Sequence, residues 1–277
     1  MTYIASIIMN PDYREIIKSK ILIHRMGIIL LMQFVFIAST VFSNEDNHYL
    51  LEIKDKKNGQ FRSKINYSIN HDPMNSQMVS LKFEGAGKYD GLENVRWKMS
   101  SLLRKESNDV KVLESHTIIF NEFQKEIKRV EKLYDYEKLQ VYFKVSDGDG
   151  VALQEKYFPI KGLICDDVSM FYFLRALIFS KNKKLGFYLV VNEPKMYKVS
   201  VIERGTEDLF VDGQKTLAVK YQLFAGLGKL AQWISKFVAP TYIWYAQQEP
   251  NIWIQYEGME TGYGSAHITM TVNTKNH

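Results

Sequence analysis

The sequence predicts a mainly β protein: a strongly curved antiparallel sheet, open or half-barrel, with one buried helix on its concave face and a second, amphipathic helix. Three observations carry this. Stretches such as residues 95–99 and 139–145 alternate apolar and polar side chains at period two, as strands do when one face is buried and the other wet. Turn residues separate these stretches at short spacing, the pattern of an antiparallel meander. The reading switches clearly from strand to helix at one place, between Asp166 and Arg175. A curved sheet that does not close leaves an apolar trough, which a helix or a ligand must cover.

The N-terminus comes first. Lys18, Lys20 and Arg25 precede an apolar run over residues 27–42, followed by polar Ser43, Asn44, Glu45 and Asp46. A basic segment, an apolar segment of about 15 residues and a cleavage site with Val41 and Ser43 at its two specificity positions are the parts of a secretory signal. Residues 1–43 are therefore expected to be a signal peptide. Met26 is an alternative natural start, because the run from Met26 alone opens a conventional signal. The competing reading is an uncleaved N-terminal anchor, for which the run is short. Residues 44–277 then form a single β-rich domain.

Strands follow at 48–53, 60–69 and 95–99, where Leu103 continues the apolar face, then at 110–112, 117–120 and 139–145. Asp147-Gly148-Asp149-Gly150 supplies a turn, because Asp-Gly adopts the positive φ angles that hairpins need. Gly85-Ala86-Gly87 lacks a following helix and a Lys-Ser or Lys-Thr pair, so it reads as a strand end or bend rather than a phosphate loop.

The helix runs over 167–179. Asp166, Asp167 and Ser169 offer side-chain oxygens to its first turn, and the two carboxylates suit the positive end of its dipole. From Val168 to Phe179 only Ser169 and Arg175 are polar. A helix apolar on all sides is buried on all sides, and this one, at roughly 18 Å, is too short to span a bilayer. Arg175 is then a rim residue that snorkels, or a buried charge with a carboxylate partner. Cys165, the only cysteine, reads as a small buried apolar residue. A second helix is expected over 227–238, where Leu227, Leu230, Ala231, Ile234, Phe237 and Val238 recur at helical spacing and Pro240 stops the run. Trp233 flanks its apolar stripe. Trp244 and Trp253 on the next strands are expected to share a cavity with it, or to be core.

The stretch Asp167-Val168-Ser169-Met170-Phe171-Tyr172-Phe173-Leu174-Arg175 resembles the Asp-x-Leu/Val-Ser-x-Tyr/Phe-Tyr-x-Leu-Arg core of the domain-of-unknown-function 3108 family of exported bacterial proteins. Gly186 before a strand, the Tyr197-Lys198-Val199-Ser200-Val201 strand, and Tyr242-Ile243-Trp244-Tyr245 with Glu249 and Pro250 after it agree with that likeness. The Pro-x-Gly turn typical of the family is replaced here by Asp212-Gly213-Gln214, and residues 225–240 form a longer insert. The resemblance covers roughly residues 48–273 and implies a periplasmic protein of a Gram-negative-type envelope, of no established activity.

Other chemistry is weakly indicated. The net charge of +5 is spread thinly over the chain, which gives little support for a nucleic-acid groove. The six His are spaced singly, so zinc is not expected, and the 147–150 turn lacks the ligand set of a calcium loop. No catalytic motif is present, and no cofactor is expected. Three readings follow. The first is a non-catalytic envelope protein that binds a lipid or other hydrophobic ligand in the trough, through Arg175, Tyr172, Trp233, Trp244 and Trp253. The second is a structural or interaction module of envelope assembly, with an envelope protein as partner and peripheral contact with the membrane. The third is a hydrolase with dispersed residues.

Overall fold

The computed structural model describes residues 47–106, 109–179, 186–211, 213–226, 240–260 and 265–273. The expected signal segment, the 227–238 helix and Trp233 lie outside the described residues. The rest is one 15-stranded sheet with one helix among the described residues.

The chain lays down β1 (Asn47–Asp55), β2 (Phe61–His71), β3 (Met78–Tyr89), β4 (Leu92–Glu106), β5 (Asp109–Phe120), β6 (Glu126–Asp135), β7 (Gln140–Asp147) and β8 (Ala152–Pro159) as a continuous meander. Then come β9 (Ile164–Asp166), α1 (Met170–Ile178), β10 (Gly186–Val190), β11 (Met196–Val211), β12 (Gln214–Gly226), β13 (Thr241–Ala246), β14 (Trp253–Met259) and β15 (His267–Asn273). A second meander runs back from β9 to β15, and β15 pairs with β1 in the middle of the sheet. All strand pairs are antiparallel except β9 with β10, which is parallel.

This order forces the sheet to curl. The strands β8 and β9 are its two edges. A flat sheet of 15 strands would hold them about 67 Å apart. Only residues 160–163 join them, and that link reaches at most about 19 Å. The sheet therefore bends until its edges approach, but it stays open. Edge strand β9 turns inward and packs against β5, with Ile164, Cys165 and Asp166 all buried. From the other edge, Lys156 donates to the carbonyl of Pro194 at 3.0 Å.

Period two explains the strands that the sequence revealed. In β7 the residues Val141, Phe143 and Val145 are buried while Gln140, Tyr142 and Lys144 between and before them are less so. The segments 110–112 and 117–120 prove to be one strand, β5, whose pattern is broken by a bulge in its pairing with β4 at Leu102/Leu103. The 147–150 turn joins β7 to β8, with Gly150 at φ 83° and Asp147 Oδ1 accepting from the amides of Asp149 and Val151. The 85–87 segment differs from expectation: it lies inside β3. A Cβ on Gly85 would come within 2.4 Å of the Trp97 ring, so the glycine makes room for that indole, which stacks on Tyr89 at 4.8 Å. Gly87, at φ 132°, sits beside the register shift that ends the β3–β4 ladder.

Candidate functional site

Helix α1 occupies the inner face of the curled sheet. Met170, Phe171, Phe173, Leu174, Leu177 and Ile178 are buried. The strands supply an aromatic ladder beneath it, because Tyr49, Tyr67 and Phe83 are register partners on β1, β2 and β3. Their rings stack at 5.7 and 4.3 Å. Phe171 stacks on Trp253 of β14 at 4.2 Å and meets the edge of Tyr256 at 5.6 Å. The Tyr245 hydroxyl donates to the Phe171 carbonyl at 2.8 Å, tying the helix backbone to β13.

The helix starts three residues later than expected, and its caps work differently. Asp166 and Ser169 form a reciprocal pair one turn upstream. Asp166 Oδ1 accepts from the Ser169 amide at 2.8 Å, and the Asp166 amide donates to Ser169 Oγ at 3.1 Å. Ser169 makes no side-chain bond to the first turn. The other oxygen of Asp166 accepts from the Tyr134 hydroxyl at 3.2 Å, and Asp167 pairs with Lys132. Both partners come from β6, where Val130, Lys132 and Tyr134 alternate onto the inner face. Lys132 is 1% exposed. Burial raises the pKa of the Asp166 carboxyl, with the Lys132 ammonium opposing that rise and Asp167 adding to it. Burial likewise pushes the Cys165 thiol well up, which removes the thiolate a nucleophile would need. The cluster pins the β9–α1 junction to β6. Sequence reasoning missed Lys132 and Tyr134. The signal was there in the i, i+2, i+4 spacing of Val130, Lys132 and Tyr134, which places all three on one face.

Arg175 lies one turn beyond Phe171. It makes no carboxylate pair among the described residues, so the ion-pair expectation is corrected. The guanidinium is half-buried at a small recess of about 20 Å³, lined also by Tyr49, Tyr67, Phe171, Tyr172 and Trp253. Its charge is felt by all three of these phenols. Burial outweighs that charge and holds Tyr172 at about 12, so it is a hydrogen-bond donor at neutral pH. Of the expected site residues, Arg175, Tyr172 and Trp253 thus come together.

Trp244 does not join them. It packs with Ala218, Ala246 and Ile254 in a separate cluster, while its neighbours Ile243 and Tyr245 belong to the main core. Successive residues of a strand face opposite sides, so Trp244 and Trp253 cannot line one cavity. The Trp244 indole donates to Glu207, and Lys220 sits over its ring at 4.8 Å. A larger cleft of about 360 Å³ lies over the start of β1 and the middle of β2 and β3. Its lining includes Asn66, Ser68, Lys82 and Glu84, which alternate with the inward Tyr67 and Phe83, so it belongs to the polar outer face.

The described residues form a mainly antiparallel, open sheet curled around one helix. No family model matches the chain, and no curated protein matches it. Among solved structures it is similar to a beta-barrel-like protein of domain of unknown function DUF1849 from Brucella abortus, at 11% identity and a TM-score of 0.46, covering 82% of this chain and 94% of that one.

Proposed function

We propose that the protein is an exported, non-catalytic interaction module of the bacterial envelope, its trough closed by its own helix. The observation that carries this is α1 itself. Its six buried side chains fill the inner face where a hydrophobic ligand would otherwise lie. Export rests on the signal-like residues 1–43, and the envelope setting on the resemblance of residues 167–175 to the domain-of-unknown-function 3108 motif.

An interaction module needs a surface for its partner. Edge strand β8 offers one, because it pairs on one side only and leaves Leu153 and Tyr157 more than half exposed. Exposed strand edges pair with other chains unless they are blunted. A photo-crosslinking residue at position 157, placed in the full chain in its producing cell, tests this. A discrete crosslinked species from 157, absent when the same probe replaces exposed Glu84, is the expected result. Equal or no crosslinking at the two positions overturns it. The intact mass of the purified chain reads the export expectation at the same time, since cleavage removes residues 1–43.

A lipid or other hydrophobic ligand is the second reading. The aromatic recess at Arg175 favours it, at a place where a ligand meets only the rim of the filled trough.

A further inference from the structure

We propose that the recess at Arg175 is an oxyanion-recognition site, taking the terminal phosphate or carboxylate group of a ligand whose remainder stays outside the sheet. The inference rests on the geometry of the recess and holds whether or not β8 binds a protein.

The recess is a convergence of donors without acceptors. Arg175 carries five N–H donors in a planar fork. Among the described residues none of them meets a carboxylate, a carbonyl or a hydroxyl. The guanidinium is part-buried, so these donors face the recess and the water in it. Trp253 lines the same recess, and its buried indole N–H also has no acceptor among the described residues. Tyr49 and Tyr172 add hydroxyls that stay protonated. Lys105, on β4, stands outside the lining of the recess and has no carboxylate partner among the described residues. It contacts His71 Nδ1 at 3.3 Å and feels the charge of Arg175.

Such a set suits an anion with several acceptor oxygens, since guanidinium binds carboxylate and phosphate bidentately. Size narrows the choice. About 20 Å³ holds a single water-sized group, so one oxygen of the terminus enters, its other oxygens stay at the mouth beside Arg175, and a fatty chain is excluded. The apolar walls from Phe171 and Trp253 lower the local polarity and strengthen the ion pair that forms.

Two probes separate free anions from membrane headgroups. The first is inorganic phosphate, measured by calorimetry on the full chain. The second is flotation with vesicles of equal phosphatidic acid and phosphatidylcholine. Binding of phosphate assigns a free oxyanion, and binding of vesicles alone assigns a headgroup. In either case Arg175→Met should weaken binding about tenfold or more, and Arg175→Lys should retain part of it. Removal of an exposed outer charge, Lys57→Met, should leave binding unchanged. The Met variant is checked for its wild-type unfolding curve, and the Lys variant keeps the test open should Met misfold. If neither probe binds, or if Arg175→Met binds as tightly as the wild type, the proposal fails.

Discussion

At the residue scale the buried charges decide most. Lys132 is held inside the sheet by Asp167 and by the field of Asp166. Removing one member of such a pair leaves the other uncompensated. Lys132→Met should therefore cost about 3 kcal/mol in denaturant unfolding, although its methyl-ended chain fills the same space. Arg175→Met should change stability by less than about 0.5 kcal/mol, because among the described residues that charge has no ion-pair partner to lose. Asp166 gives a pH signature. Its folded pKa is raised, so its contribution is full below about pH 4 and is lost as pH rises through the folded value. Unfolding of wild type and Asp166→Asn across that range should show the wild type losing stability relative to the variant, whose amide still accepts from the Ser169 amide. A flat difference between the two would show that Asp166 carries no such shift. Arg175 stood out in the sequence because it is a lone charge in an apolar run. That Arg175 has no carboxylate beside it among the described residues was not legible, since ion-pair partners come from distant strands.

At the element scale the helix is the critical piece. Phe171→Ala removes the ring that stacks on Trp253 and touches Tyr256 and Phe83. It should cost about 3–5 kcal/mol, read by chemical unfolding. Gly85→Ala should destabilise by about 1–3 kcal/mol, because the added methyl strikes the Trp97 indole, which is only 1% exposed and can move little. Strands with one covered face announced themselves by alternation, as β7 did. Strand β8 did not, because among its residues only Phe158 is buried and period two has no face to report. Strand β3 was hidden by the two glycines that its neighbours require. The Trp244 side of β13 was misplaced for a related reason: both faces of that strand are apolar, so composition does not say which one meets the helix.

At the scale of the whole molecule, topology explains the curl. The short link between edge strands, the β1–β15 pairing at the centre and the inward turn of β9 leave one interior, and α1 fills it. The curved, open sheet with a buried helix was readable from the strand count and the single apolar helix. The parallel β9–β10 pair and the docking of β9 on β5 were not, because a three-residue strand carries no period. The central claim is that this interior is occupied by the protein's own helix rather than by a ligand. Native mass spectrometry with lipid extraction, on protein purified from an envelope fraction, tests it most directly. The mass of the polypeptide alone, with no acyl lipid at stoichiometric yield, is expected. One lipid recovered per chain, reproducibly and equally from Arg175→Met, would contradict it.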